Sequence, residues 1–337
     1  MIRLKDIAEQ AGVSVMTVSK ALRDEPDIAA QTRARIRTIA DAAGYVPNHA
    51  ARALRTHTTR QFGLIISALT NPLYIRVLMA IEEQAHEMGY DILFAQTMNH
   101  PGREEAVIRR MLARRVDGLF IRPVYRADNT AAIYEELKRQ GTPTVILGHR
   151  ALFCSDFPSV QTDDLASARS ATLHLLGLGH RRVACLTGPT FSPWAQERYE
   201  GYRHALHDAN LEVDEKLVFQ AGATIEEGEK AALQLINEAP GATAIVAAND
   251  LVAIGAANIL LDQGVRIPED ISLIGFGNIL GAAHYRVPLT TVRQPKYRRG
   301  ITAMESMEDL LAGKNPDTKR LAAELILRDS TAGPPKK

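Results

Sequence analysis

Between Leu4 and Arg23 the chain writes two short helical patterns around a glycine, LKDIAEQAGVSVMTVSKALR. Leu4, Ile7, Ala8 and Ala11 recur at helical spacing before the break Ala11-Gly12-Val13-Ser14, and Val15, Val18, Ala21 and Leu22 do so after it. Gly12 suits the positive φ of a tight turn between helices. Ser14 stands where a hydroxyl accepts a bond from a free first-turn N–H. Two helices of this length on a glycine-containing turn predict a helix-turn-helix. Its second helix, Val15 to Arg23, would carry exposed residues into a DNA major groove. An ordinary helical hairpin in a core has the same pattern, so the residues beyond Arg23 have to discriminate.

Asp24-Glu25-Pro26-Asp27 is a polar loop, and Ala30 to Ala43 predicts a third helix with Ile36, Ile39, Ala40 and Ala43 as its stripe. Gly44 stands in the usual stop position. Tyr45-Val46-Pro47-Asn48 then leads into an Ala/Leu/Arg stretch, His49 to Arg55. Charge is unevenly spread. Residues 1–60 hold ten Lys/Arg against six Asp/Glu, whereas the rest hold thirty against thirty-three, within a formal net charge of +1. A basic head on a slightly acidic body fits a polyanion-binding head and a body with another task.

At 337 residues the chain is long enough for two or three domains. Thr56 to Arg60 reads as a polar linker. From Phe62 onward, short apolar runs alternate with amphipathic helices: 62–69, 90–95, 116–121, 143–148, 181–188, 243–248 and 271–276 read as strands. Helices read at Tyr74–Met88, Arg103–Arg115, Asn129–Gln140 and Asp164–Leu178. Near-continuous apolar strands between helices predict parallel sheets covered on both faces, in an α/β fold. A less periodic stretch, His149 to Gln161, divides the body into two similar lobes. The first spans about 61–160 with a return near 290–325. The second spans about 163–290 plus a last strand at Glu324–Leu327. DSTAGPPKK at the end reads as frayed.

Two cysteines, Cys154 and Cys185, sit among apolar residues and imply no disulfide framework. MIRLKDIAEQ lacks an apolar signal-peptide core. The run nearest to a membrane span, Ala242 to Leu261, is interrupted by Asn249-Asp250. A soluble cytoplasmic protein is expected. Gly177-Leu178-Gly179 lacks the third glycine of a dinucleotide fingerprint, and no GxxxxGK[ST], HExxH or CxxC occurs. The ten histidines do not cluster at ligand spacing. An enzyme is disfavoured, and no cofactor or metal is expected.

Polar residues at the strand ends mark a candidate ligand site, because open parallel sheets bind ligands at the carboxyl ends of their strands. They are Asn71 and Tyr74, Arg122, Trp194 and Arg198, and Asn249-Asp250. The sole tryptophan lies four residues before Arg198, so both could line one wall. For Asn249 and Asp250, capping of the following helix is the competing reading, more so for Asp250 than for Asn249.

LKDIAEQAGVSVMTVSKAL, Thr32-Arg33, GYVPN at 44–48 and ARAL at 51–54 together resemble the headpiece of the LacI/GalR family of bacterial transcription regulators. The body is similar to the type I periplasmic-binding-protein-like core of that family, through Asn71-Pro72, RRVDGLFI at 114–121, LGHRRVACLTGP at 178–189, Arg198 with Gly201-Tyr202, AANDLVAIGA at 247–256, VRIPEDISLIGF at 265–276 and LTTVRQP at 289–295. The resemblance implies a headpiece at 1–46, a hinge helix and linker at 47–60, and an effector-binding, dimerising core at 61–337.

On DNA it implies base reading by Val15, Met16 and Lys20, and phosphate contacts by Ser14 and Thr17. Hinge contacts would come from Asn48 to Leu54, with Asn48, His49, Ala51 and the minor-groove wedge Leu54 singled out. Lys20 suits the guanine O6 and N7 acceptors, although many members carry arginine there. In the core it implies an effector held by Asn71, Tyr74, Arg122, Trp194, Arg198, Asn249, Asp250 and the Gly277 position.

Gly148 and Gly277 stand where many sugar-binding members carry hydroxyl-binding carboxylates. With Arg122, Arg150 and Arg198 nearby, their absence suggests an anionic effector, a sugar acid or sugar phosphate. The function implied is a homodimeric repressor that binds double-stranded operator DNA under the control of a sugar or sugar derivative. The alternatives are control by a partner protein or by a purine corepressor.

Overall fold

A computed structural model describes residues 2–46, 58–239 and 241–335. The chain divides into two compact units, Met1–Thr59 and Arg60–Lys337.

The first unit holds α1 (Leu4–Ala11), α2 (Val15–Ala21) and α3 (Ala30–Ala42). Its core is small: Ile7, Ala8, Ala11, Val18, Ala21, Ile36 and Ala40 are buried together, with Leu22, Ile28, Ile39 and Tyr45 packed against them. Gly12 ends α1 at φ 62°, which turns the chain at once into α2.

The second unit contains two six-stranded sheets. In chain order it runs β1 (Gln61–Ile66), α4 (Leu73–Glu87), β2 (Asp91–Gln96), α5 (Pro101–Ala113), β3 (Gly118–Ile121), α6 (Ala132–Gln140), β4 (Thr144–Leu147) and β5 (Ser159–Thr162). Then follow α7 (Asp164–Gly177), β6 (Val183–Thr187), α8 (Pro193–Asp208), β7 (Val218–Gln220), α9 (Ile225–Glu238), β8 (Ala244–Ala247), α10 (Asp250–Asp262) and β9 (Ser272–Phe276). The chain closes with α11 (Leu280–Ala283), β10 (Thr290–Arg293), α12 (Lys296–Leu311), β11 (Lys319–Leu321) and β12 (Glu324–Ile326).

Lobe one is the parallel sheet β11-β5-β4-β3-β1-β2. Side chains alternate across it, so both faces need cover. Phe62, Leu64 and Phe120 meet Val77, Ile81, Met304 and Met307 on one face. Ile65, Leu119 and Ile121 meet Ile108, Met111, Ile133 and Leu137 on the other. Lobe two is β12-β10-β9-β8-β6-β7, parallel except for the antiparallel pair β10–β12. Its faces are covered by α7 with α8, and by α9 with α10.

Two expectations change. The strand at 290 does not return to lobe one: β10 pairs with β9, Thr290 opposite Ile274, and buries Leu289 and Val292 in lobe-two cores. Only α12 and β11 go back to lobe one, where α12 packs with α4 and β11 pairs with β5. As far as Ala332 the tail is also not frayed. Ser330 is fully buried; its hydroxyl donates to Leu273 O at 2.6 Å and accepts from Thr290 N at 2.8 Å. The carbonyl of Ala332 bonds Ser272 Oγ at 3.0 Å and His180 Nε2 at 2.8 Å. Hydrophobicity gave no sign of this, because small hydroxyl residues and backbone do the tying. Three short strands also escaped the apolar pattern: β5 and β11, which are mostly polar, and β7, Val218-Phe219-Gln220, which is too short to show one. Both cysteines are buried and unpaired, and Cys185 is pushed up to about 12 by burial.

Candidate functional site

In the headpiece, Ser14 caps α2: its hydroxyl accepts from Thr17 N at 3.1 Å and pairs with Thr17 Oγ1 at 2.9 Å. This fixes the first turn of α2 and sets Val15 and Met16 outward, at 44% and 65% exposure. Val15 therefore leaves the apolar stripe in which the sequence pattern put it; Val18 and Ala21 alone bury α2. Lys20 is ion-paired with Asp27, which raises its pKa through that bond and charge. Arg33 and Arg37 both meet Asp24, and Arg33 Nη2 also donates to Glu25 O and Ile28 O at 3.0 Å each. With Arg23 on Glu25 at 2.5 Å, the acidic loop thus holds four of the headpiece cations, Lys20, Arg23, Arg33 and Arg37. Asn48, His49, Ala51 and Leu54 lie outside the described residues.

In the core, a cavity of about 360 Å³ is walled by both lobes. Of the sequence candidates, Asn71, Tyr74, Arg122, Trp194, Arg198 and Asn249 line it. The strand order explains why: β1, β3 and β4 are adjacent in one sheet, β6, β8 and β9 in the other, and their carboxyl ends open onto the same space.

Asp250 and Gly277 are not among the lining residues. Asp250 is buried behind the wall, accepting from Thr291 Oγ1 at 2.5 Å and Ile279 N at 2.8 Å, and burial raises its pKa. Gly277 backs onto it: a Cβ there would stand 3.2 Å from Asp250 Oδ2. Asn249 lines the cavity but is engaged at both ends of its amide. Its Oδ1 caps α10 at Val252 N (2.8 Å), and its Nδ2 donates to Ala223 O (3.0 Å). Arg150 is exposed and donates to Ser155 O, away from the lining.

The lobe-two wall is built on Arg198. Its Nε and Nη2 donate to Asp164 Oδ1 at 3.0 and 2.8 Å, and Nη1 donates to Ala248 O. The guanidinium lies 3.5 Å from the Phe276 ring centre and 4.6 Å from that of Trp194. Asp164 opens α7 directly after β5, so this acid stands where the chain passes between the lobes. His149, just past β4, faces the same corner: Nδ1 is 3.5 Å from Asp164 Oδ2 and Nε2 is 3.1 Å from Glu197 Oε2.

The lobe-one wall is built on Arg122, just past β3. Its Nε donates to the Tyr74 hydroxyl at 3.1 Å and its Nη1 to the Tyr125 hydroxyl, which donates onward to His149 O at 2.7 Å. Arg299, in the first turn of α12, joins this wall. Burial first, then the like charges of Arg122 and Arg198, hold its pKa down at about 10. Gln294, Tyr125, Asp164, His149 and Arg299 line the cavity without having been read from the sequence. For Arg299 no signal was available: the run KYRRG does not tell which arginine turns inward. Asp164 had a weak one, beside the predicted helix start. Among the described residues, no group of three or more His, Cys, Asp or Glu could hold a metal ion, and no helix is long and apolar enough to cross a membrane.

Comparison with known proteins accounts for both halves of this arrangement. Residues 3–48 match the family model described as "Bacterial regulatory proteins, lacI family", and residues 59–326 match "Periplasmic binding proteins and sugar binding domain of LacI family". The HTH-type transcriptional regulator DegA of Bacillus subtilis (strain 168) is 31% identical over 97% of each chain. The HTH-type transcriptional repressor CytR of Escherichia coli (strain K12) is 30% identical over 98% of this chain and 97% of its own. A crystal structure of the lac repressor dimer bound to operator and the anti-inducer ONPF superposes with a TM-score of 0.88 at 26% identity, covering 98% of this chain and 99% of that one. The chain belongs to the LacI family of bacterial regulatory proteins, DNA-binding transcription regulators rather than enzymes.

Proposed function

We propose that this protein is a cytoplasmic, homodimeric repressor whose affinity for operator DNA is set by a sugar or sugar derivative bound between the two core lobes. The observation that carries the reading is the pairing, in one chain, of a capped recognition helix with a cavity walled by both lobes. Residues 1–46 act as the headpiece, 47–60 as the hinge and 61–337 as the effector-binding core. Val15, Met16 and Lys20 face the bases while Ser14 and Thr17 hold phosphates; the outward position of Val15 and Met16 supports this. Two headpieces in a dimer read half-sites about one duplex turn apart, roughly 34 Å. The effector binds one arrangement of the lobes better than the other, and operator affinity follows by linkage.

The test is operator binding by fluorescence anisotropy at fixed salt, with neutral sugars, sugar acids, sugar phosphates and purines added in turn. A change in operator affinity of tenfold or more with one class supports the reading and tells release from corepression. Operator binding that ignores every class shifts control to a partner protein. Failure to prefer a palindromic site over random duplex removes the repressor reading itself.

A further inference from the structure

The cavity contains more positive charge than its own acids answer. Three guanidinium groups line it, those of Arg122, Arg198 and Arg299, with two carboxylates, Asp164 and Glu227. Asp164 is spent on Arg198. Glu227 is spent on backbone, accepting from Ala223 N at 2.8 Å and Thr224 N at 3.0 Å. Among the described residues, neither is hydrogen-bonded or ion-paired to Arg122 or Arg299.

Among the described residues, the hydrogen bonds of the Arg122 guanidinium go to neutral phenol oxygens. Arg299 is 7% exposed, yet its Nε has no hydrogen-bond partner among the described residues. Its one side-chain bond among those residues is a long contact, 3.5 Å from Nη1 to Gln294 Oε1. A buried charge without a counter-charge is costly, and a buried donor without an acceptor adds to that cost. An anion in this space would relieve both costs.

The backbone makes room for this. Gly148 sits at φ 116°, and a Cβ there would overlap Arg122 Nη1. With the Arg122 guanidinium in this position, a side chain at 148 has no room. At 148 this chain has a bare backbone with an arginine head against it.

Resting on the reading of the cavity as the effector site, we propose that the effector is anionic. Its carboxylate or phosphate group lies on the lobe-one wall between Arg122 and Arg299, and Arg299 is the residue that selects for it. Arg198 already has its counter-charge in Asp164, and three of its five N–H groups are bonded to Asp164 and Ala248 O, so the unanswered charge is that of Arg122 and Arg299. The uncharged part of the ligand faces Trp194 across the cavity.

Trp194 is the only tryptophan in the chain and lines the cavity, so its fluorescence reports occupancy of the full-length protein. The probes are inorganic phosphate, glucose 6-phosphate, gluconate and glucose, each titrated at constant ionic strength with chloride as the balancing ion. Wild type should give a saturable change with at least one of the three anions, at least tenfold tighter than with glucose. The better anion tells a phosphate source from a carboxylate source. Arg299→Met should weaken that anion at least tenfold, while Arg299→Lys should recover part of the loss.

Folding is checked by thermal midpoint. Arg299→Met should melt at or above the unliganded wild type, since it removes an unanswered buried charge. Equal anion affinity in wild type and Arg299→Met overturns the proposal. So does a wild type that answers glucose as well as the anions, which leaves the cavity standing as an effector site. No response to any probe, together with operator affinity indifferent to all four, overturns both.

Discussion

Arg198 places two of its nitrogens on a single oxygen of Asp164, at 3.0 and 2.8 Å, while its flat face covers Phe276. Both side chains are almost wholly buried. Asp164→Asn keeps the shape and removes the charge, leaving the guanidinium unanswered. Losing one member of a buried pair costs about 3–5 kcal/mol. Urea unfolding should show a drop of that order, and operator control by the effector should fall with it. A loss below roughly 1 kcal/mol, the range of exposed pairs, would mean the corner is wetter than its burial implies.

Lys20 and Asp27 form an ion pair beside the recognition helix. Asp27→Ala frees the ammonium and should strengthen binding to random duplex. It should steepen the dependence of log K on log salt by about one, the signature of one more released counterion. Lys20→Ala should do the reverse and flatten discrimination among operator variants. Equal salt slopes in all three proteins would place Lys20 off the DNA.

Ser330 predicts that the tail is structural. Its hydroxyl serves Leu273 O and Thr290 N inside the second lobe. Ser330→Ala leaves two buried backbone groups unpaired, each costing about 1–3 kcal/mol. The variant should melt several degrees lower than wild type in calorimetry. An unchanged midpoint would show that water replaces the hydroxyl.

Lys296 gives a pH dependence. Its ammonium donates to Gly277 O and Asn278 O at 2.7 Å each, and burial holds its pKa at about 8, against 10.5 in the unfolded chain. Between those values the unfolded state binds more protons, so stability rises with pH across that window. Wild type should therefore gain on Lys296→Met as the pH is raised through that window in denaturant titrations. A constant gap between the two proteins would argue against the depressed value.

How much of this could be read from residues alone depended on periodicity. The headpiece helices and the long apolar strands were legible because burial imposes a repeat of 3.6 or 2 on them. Val15 was misplaced because a valine facing outward from a helix looks the same in sequence as one facing a core. β5, β7 and β11 were missed because strands of three or four residues are too short to show an alternation. The cavity was legible where a strand visibly ends, at Asn71, Arg122 and Asn249. It was illegible at Arg299 and His149, which enter from a helix start and a loop whose direction only the packed lobes decide. Asp250 failed for a related reason: being next to a strand end does not say which side of the wall a carboxylate takes.

The closing strands carry a consequence for how the protein is made. Lys319 pairs with Val160 in one sheet, Leu325 pairs with Val292 in the other, and Ser330 reaches back to Leu273. Neither sheet has its last strand until residues 319–326 have been translated. The two lobes thus cannot be finished one after the other on the ribosome, although the headpiece, whose core contacts are all local, can. Until then β5 and β10 lack their neighbouring strands, a condition under which nascent chains aggregate or recruit chaperones.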